Sequence, residues 1–395
     1  MRKIRVLDHS DVPKLAALYK NAYRIDSATA AKWIENLCVE NTRAIVDDQR
    51  VLSVIQILPY RVNIGGRDMA MGGIGGVATW ADAQGHGYAG ELMRASVREM
   101  YEREMPVSFL YPFSYRYYGK FGWALAARRV VYTGFTQADL VRERNTLPVR
   151  AVLTDEDFTH LQTAYSAFLP QYNCLVARSS REWEQMRKRL TEDRVHCYLI
   201  GAQDGVAPAG YFVCEDQAVE GGYETVVREL VCLDDQAYVA AFSFLATLPT
   251  NVRRITIGHA EKPSLWRYFK EPFLVTRVDP YFQARVVDVK RACEQRGYRG
   301  NVRATVRFAI HDEIATWNKG PWELDVADGH ARIQEVGGLD PEVELSIQQF
   351  SAVFVGFQDP VEWVELGCLP KHCMGAAQRL RDIFHDKPTS LLDFF

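Results

Sequence analysis

Two stretches of the chain repeat one pattern, 146 residues apart, and this repeat sets the architecture more tightly than any other feature. Residues 6–19 read VLDHSDVPKLAALY and residues 152–165 read VLTDEDFTHLQTAY. Val6 aligns with Val152, Leu7 with Leu153, Asp11 with Asp157, Leu15 with Leu161 and Tyr19 with Tyr165. Each segment reads as a short strand, a polar capping stretch and an amphipathic helix. Ser10 or Asp8 is the expected cap of the first helix, and Thr154 or Asp155 of the second. The spacing is a domain length, so the repeat predicts two copies of one α/β fold.

Local patterning divides the rest. Residues 43–47 and 51–58 read as strands meeting at the turn Asp47-Asp48-Gln49-Arg50, and 61–64 as a strand ending at Gly65-Gly66. Residues 71–79 hold four glycines and then the β-type run Val77-Ala78-Thr79. A turn at 84–87 leads into a helix with apolar residues at Ala89, Leu92, Met93, Val97, Met100 and Tyr101, and 107–111 is the next strand. The charged, proline-terminated segment 136–148 reads as a linker. In the second copy, 198–200, 211–213 and 225–232 are the strand candidates. From 281 the texture changes: the apolar patch 284–289 precedes a helix, the strands 302–310, 322–326 and 330–336, and helices over 346–355, 360–366 and 373–383. The expected domains are therefore 1–140, 149–280 and 281–395.

The formal net charge of −3 gives no field that would draw the chain to nucleic acid or an anionic membrane. No apolar run approaches the ~20 residues that span a bilayer. The N-terminus Met1-Arg2-Lys3 is basic but lacks an apolar export core, so a cytoplasmic protein is expected. The eight cysteines are scattered and form no C-x-x-C, so reduced structural thiols are expected and no metal.

The chemistry-bearing element is Gln84-Gly85-His86-Gly87-Tyr88-Ala89. A strand that passes through glycines into a helix N-terminus gathers several backbone N–H groups and the positive end of the helix dipole, which suits a pyrophosphate. Gly85 and Gly87 let that backbone approach phosphate closely. The lysine of a Walker loop is missing, and so is G-x-G-x-x-G, which excludes the usual nucleotide and nicotinamide cradles. At the equivalent place in the second copy stand Asp234 and Asp235 with no glycine, and two carboxylates would repel a pyrophosphate. One cofactor site is therefore expected, in the first copy. Tyr111, Tyr115, Tyr117 and Tyr118 are candidate proton donors, and the sequence does not choose among them. Four of the last five residues, Leu391, Leu392, Phe394 and Phe395, are apolar, which predicts a docked C-terminus.

Q-x-x-G-x-A after an apolar strand resembles the coenzyme A-binding motif of the Gcn5-related N-acetyltransferases. The run Tyr117-Tyr118-Gly119-Lys120-Phe121-Gly122-Trp123 resembles a later element of that family, with Trp123 where Phe or Tyr is usual. Taken whole, the chain resembles the enhanced intracellular survival branch, from the tandem repeat through Ala284-Arg285-Val286-Val287-Asp288-Val289 to its aromatic end. That resemblance implies an α/β (α+β) protein: tandem acetyltransferase folds with mixed central sheets, the second degenerate, plus a C-terminal domain like a sterol carrier protein. It implies acetyl-coenzyme A as cosubstrate, held by Val77, Ala78, Thr79, Gln84, Gly85, His86, Gly87, Tyr88 and Ala89, with the pantetheine arm in a gap between 77–79 and 107–111. It picks Tyr118 as general acid and the terminal carboxylate of Phe395 as general base. The backbone N–H of Val77 or Thr79 would face the oxyanion. Asp26, Trp33, Glu35 and Asp393 are candidate acceptor contacts, with Tyr23 beside Trp33. His86 stands where relatives often carry Arg or Lys. The implied acceptor is a primary amine, aminoglycoside-like, polyamine-like or a lysine side chain, and the implied assembly a homo-oligomer, often a hexamer. A lipid-binding scaffold with a vestigial enzyme is the competing reading. A tRNA-dependent aminoacyl transferase is disfavoured by the lack of a basic stripe.

Overall fold

A computed structural model of the chain describes residues 3–35, 37–48, 50–144, 146–202 and 206–395. Met1 and Arg2 of the basic N-terminus and Gln49 of the expected turn lie outside the described residues. The chain forms two compact units. The first holds residues up to Ala126, then Phe282–Asp386 and Asp393–Phe395; the second holds Ala127–Tyr281 and Lys387–Leu392.

The first unit opens with strand β1 (Lys3–Val6), helices α1 (Val12–Tyr23) and α2 (Ser27–Glu35), and strands β2 (Thr42–Asp47), β3 (Arg50–Ile64) and β4 (Arg67–Thr79). Helix α3 (Tyr88–Glu102), β5 (Val107–Leu110), α4 (Tyr115–Gly119) and β6 (Ala124–Leu125) follow. Asp8 caps a short 3-10 turn rather than α1 itself, taking the N–H of Ser10 while Asp11 takes the N–H of Asp8. The expected strand 61–64 and the glycine run after it are not separate pieces. β3 and β4 are two long strands paired from Ile64–Arg67 back to Ser53–Thr79. The glycines of β4 serve close approach. A methyl at Gly72 would stand 2.3 Å from the sulfur of Met100 on α3, and one at Gly73 2.9 Å from the ring of Phe395.

The second unit contains β7 (Arg128–Phe135), β8 (Val149–Ala151), α5 (Asp155–Phe168), α6 (Ser180–Arg189), β9 (Val195–Ile200), β10 (Gly210–Val219), β11 (Gly222–Cys232), α7 (Asp235–Leu245), β12 (Val252–Ala260) and β13 (Val275–Pro280). Its seven strands run in the order β13-β7-β12-β11-β10-β9-β8. Thr154 caps α5 through a box with Asp157, as its sequence predicts. The boundary expected at 140 shifts. β7 pairs with β12 and β13, so 128–135 belongs to the second sheet and not to the first domain. Strands β12 and β13 had no recognised sequence signal.

The remainder supplies β14 (Gln283–Val286), α8 (Val289–Gln295), β15 (Ala304–His311), β16 (Trp322–Ala327), β17 (His330–Glu335), β18 (Val343–Ser346), α9 (Ile347–Phe354), α10 (Pro360–Glu365) and α11 (Met374–Phe384). The apolar patch at 284–289 spans the end of a strand and the first residue of a helix. β14 lies between β5 and β6, completing the first sheet in the order β1-β2-β3-β4-β5-β14-β6, and all four of its residues are buried. Gln283 and Arg285 are buried along with Ala284 and Val286, so this strand carries polar groups into the interior. The third sheet, β17-β16-β15-β18, packs around Phe308, Phe350, Phe354 and Phe384, all fully buried.

Candidate active site

Strands β4 and β5 run parallel only where Met71–Ile74 faces Val107–Leu110; β5 then ends while β4 continues to Thr79. Past Ile74 the edge of β4 is open on that side. The register against β3 also shifts here: Gln56 faces Gly75 and Val54 faces Ala78, so Gly76 and Val77 together oppose Ile55. Gly76 adopts φ 56°, and a side chain there would collide with Gln56 and the Tyr19 hydroxyl. Such a bulge bends the strand and re-aims the groups beside it. Tyr23 donates its hydroxyl to the Val77 carbonyl at 2.8 Å. Ala78 turns into the core, while Val77 and Thr79 stay partly exposed.

Downstream, Gln84 is extended, Gly85 and Gly87 take φ of 81° and 80°, and Gly87 opens α3. No side chain caps this 15-residue helix. A methyl at Gly85 or Gly87 would touch nothing within 4 Å, so the turn is an open rim of backbone. That fits an incoming pyrophosphate, since the first-turn N–H groups and helix dipole meet open space. His86 has another job. Its Nδ1 lies 3.0 Å from the Gln84 carbonyl and 3.3 Å from that of Ala83, and its ring stacks on Tyr88, so it braces the turn. Ala89 lies in the first turn of α3. Gly90, which sequence reasoning missed, lets α3 lie against Phe121; a methyl there would be 3.2 Å from that ring. The second unit contrasts. Asp234 caps α7 by accepting the N–H of Ala237 at 2.9 Å, so a carboxylate already fills the matching place.

The C-terminus reaches β4. The Phe395 ring lies against Gly73 and 4.9 Å from the Tyr60 ring, and a methyl at Gly75 would stand 3.5 Å from the Phe395 carboxyl carbon. Tyr111 clamps this tail: its hydroxyl donates to the Asp393 carbonyl at 2.8 Å, and its ring meets those of Phe394 and Phe395. Asp393 thus contributes its backbone carbonyl to the clamp.

The tyrosine candidates separate by environment. Tyr115 gives its carbonyl to Gln283. Tyr117 is partly buried, and desolvation raises its hydroxyl pKa. Tyr118 sits in α4, whose cap is Ser114, and is 4% exposed. Desolvation pushes its hydroxyl well above the usual range, and neighbouring Tyr23 and Tyr117 add to this. Tyr23 is itself pushed up to about 12 by desolvation.

Of the candidate acceptor contacts, Asp26 is exposed and accepts the N–H of Thr29 in the first turn of α2; those hydrogen bonds hold its carboxyl below the ordinary value. Trp33 is 41% exposed and meets Tyr23 edge-on at 5.1 Å and Tyr19 at 5.9 Å. Glu35 is exposed at the end of α2. Tyr19, Gln56, Tyr60 and Gly75 were missed; the glycine run of β4 was their only signal. Among the described residues, no group of three or more His, Cys, Asp or Glu is placed to hold a metal. Among the same residues, no helix is long and apolar enough to cross a membrane.

Comparison with known proteins gives this geometry its setting. Residues 3–126 match an acetyltransferase (GNAT) domain family, residues 174–286 a second acetyltransferase (GNAT) domain family, and residues 289–392 a sterol carrier protein domain. A Streptomyces griseus protein described as an uncharacterized N-acetyltransferase is 24% identical over 341 residues, 81% of this chain and 80% of that protein. A GCN5-related N-acetyltransferase from Anabaena variabilis superposes over 100% of both chains with a TM-score of 0.90 at 23% identity. Eis1 from Mycobacterium abscessus does so over 100% of both chains with a TM-score of 0.80 at 17% identity. The open helix terminus in one copy and the carboxylate-capped one in the other are thus two versions of one fold, and the chain is an N-acetyltransferase with two acetyltransferase (GNAT) domains and a sterol carrier protein domain.

Proposed function

We propose that the first domain transfers the acetyl group of acetyl-coenzyme A to a primary amine, and that the chain is of the enhanced intracellular survival type. The observation that carries this reading is the Phe395 carboxyl beside Gly75, on the open edge of β4 and two residues from Val77. The turn at 84–87 would hold the pyrophosphate through backbone N–H groups, with Val77–Thr79 along the pantetheine arm. The amine nitrogen attacks the thioester carbonyl carbon, and the carbon–sulfur bond breaks. The Phe395 carboxylate takes the ammonium proton. A C-terminal carboxyl has an ordinary pKa of ~3.3–3.7, so it is ionised at neutral pH and also attracts the cation. The backbone N–H of Val77 or Thr79 is the candidate donor to the oxyanion.

Tyr118 stays protonated and offers its hydroxyl to the departing sulfur. A thiol pKa near ~8.5 makes the thiolate a fair leaving group, so hydrogen bonding to the developing charge is the main contribution. Tyr23 and Trp33, both exposed, supply aromatic edges and faces suited to a cationic acceptor of the aminoglycoside, polyamine or lysine kind.

The test is thiol release from acetyl-coenzyme A over a panel of amines, comparing the wild type, Tyr118→Phe and a chain lengthened past Phe395. Turnover should fall in both variants while cosubstrate binding persists. Full activity of the lengthened chain would end the terminal-carboxylate reading.

A further inference from the structure

We infer that the second unit holds a binding site for a small molecule bearing one carboxylate, in the cavity where β11 and β12 part. The two strands run parallel from Tyr223–Val252 to Val227–Ile257 and then pair no further, although β11 continues to Cys232 and β12 to Ala260. This is the same splay that β4 and β5 make in the first unit. The cosubstrate cannot reuse it in the same way, because Asp234 occupies the helix terminus that would hold a pyrophosphate. The space is retained all the same: a cavity of about 270 Å³ opens beside Val227, Leu230 and Gly258. Its outer wall is Ser390, Leu391 and Leu392. That wall is tied down, since Asn173 donates its N–H to the Pro388 carbonyl and accepts the N–H of Ser390, both at 2.9 Å.

The charges of the lining identify the ligand. Arg128, Arg228 and Arg277 line the cavity, and each has an acidic partner: Glu261 at 3.8 Å, Glu215 at 2.9 Å and Asp279 at 2.6 Å. Arg129 differs. Among the described residues it meets no carboxylate, and its Nε is buried with no hydrogen-bond partner. Its guanidinium lies over the Tyr281 ring at 4.7 Å, and its stem crosses Gly258, where any larger residue would crowd it. Arg129 is half-buried and among these residues has no counter-charge beside it, and a bound anion would supply one.

One unmatched guanidinium calls for one negative charge. Glu224 on the same lining, already paired with Arg254 and Thr256, would oppose a dianion such as a phosphoryl group. A planar carboxylate suits the fork of an arginine, and Val227, Leu230, Leu391 and Leu392 suit an apolar body. The volume lies just under the ~300 Å³ at which drug-sized pockets begin, so the ligand is small. His259 forms part of the wall. Both ring nitrogens are engaged, by the Ala260 carbonyl and the Tyr238 hydroxyl.

Isothermal titration of the full chain with benzoate and hexanoate, without cosubstrate or amine, tests the site independently of acetyl transfer. Benzamide and inorganic phosphate are the controls. One carboxylate should bind per chain, benzamide should not, and Arg129→Met should weaken binding by at least about tenfold. Absence of carboxylate binding at millimolar concentration, equal binding by Arg129→Met, or tighter binding of phosphate would overturn the proposal. Should Arg129→Met fail to fold, a crystal of the wild type with benzoate decides: a carboxylate on Arg129 supports the site, and one bound elsewhere overturns it.

Discussion

The carboxyl carbon of Phe395 lies 3.5 Å from where a methyl on Gly75 would stand, so the last atoms of the chain rest directly on β4. Two kinds of change separate this contact from mere tail packing. Adding residues after Phe395 leaves its ring in place but removes the charge. Gly73→Ala keeps the charge and pushes on the ring, which would be 2.9 Å from the new methyl. The extension should lower kcat by about 10²–10⁴, the usual worth of a positioned base, with the KM for acetyl-coenzyme A little changed. Gly73→Ala should lower kcat less. Steady-state kinetics on both, with a thermal melt to show folding, checks this.

Tyr118 should act across the whole practical pH range. Its folded-state pKa is raised, chiefly by desolvation. A raised pKa favours the protonated form, so the hydroxyl keeps its proton through neutral and mildly alkaline pH. The kcat/KM profile of the wild type should therefore show no alkaline fall from this group below about pH 10, the ordinary tyrosine value. Tyr118→Phe should reduce kcat by about 10–100-fold without moving the profile. A new pKa in the variant, or an alkaline limb that it abolishes, would contradict the assignment.

Gly87 separates binding from chemistry. Its φ of 80° is left-handed, and a side chain there meets open space. Gly87→Val therefore brings backbone strain of about 1–2 kcal/mol and places branched carbons over the helix terminus. The melting temperature should drop modestly, while the Kd for coenzyme A rises by about tenfold or more. Calorimetric titration and a thermal melt on the same sample measure both.

His259 makes the second unit sensitive to acid. It is buried, and desolvation lowers its pKa from 6.5 to about 4. Above pH 6.5 the imidazole is neutral whether the unit is folded or not, and the group adds no pH dependence. As pH falls from 6.5 towards 4, the unfolded chain takes up a proton that the folded unit refuses, and stability is lost by at most about 1.4 kcal/mol per pH unit. Urea unfolding followed by hydrogen exchange in β11 and β12 should show this loss between pH 6.5 and 4. His259→Gln should flatten the slope.

What the sequence revealed, and what it hid, follows from how local each signal is. The turn at 84–89, the cap at Thr154 and the helical period of α3 are short-range features, and they fold much as their residues predict. The exchange of strands is not local. β14 closes the first sheet although it lies about 170 residues beyond β5, and no periodicity in 283–286 names its neighbours. The same holds for β7. The site shows the same division. The glycine turn at 84–87 is contiguous, and its strand-to-helix geometry was legible. Tyr23 on Val77, Tyr111 on Asp393 and Phe395 on Gly75 join residues remote in sequence; the apolar last residues predict a docked tail but not where it docks.

The pairing of β14 also places a charge in the core. Arg285 and Asp312 form an ion pair at 2.7 Å, with side chains 0% and 1% exposed. Their supports are unequal. Asp312 also accepts the N–H groups of Ile314 and Ala315 and the side chain of Asn318. Arg285 has the Phe121 carbonyl besides its partner, and its Nε is buried without one. Gly122, at φ 94°, leaves the space its guanidinium occupies. Removing the acid strands a cation among apolar neighbours, whereas removing the base leaves an anion with three donors. Asp312→Ala should therefore cost about 3–5 kcal/mol, and Arg285→Met distinctly less. Hydrogen exchange of 283–286 and 121–125 under native conditions reads this opening energy directly. Equal loss of protection in the two variants would show that the backbone donors around Asp312 do not compensate its charge.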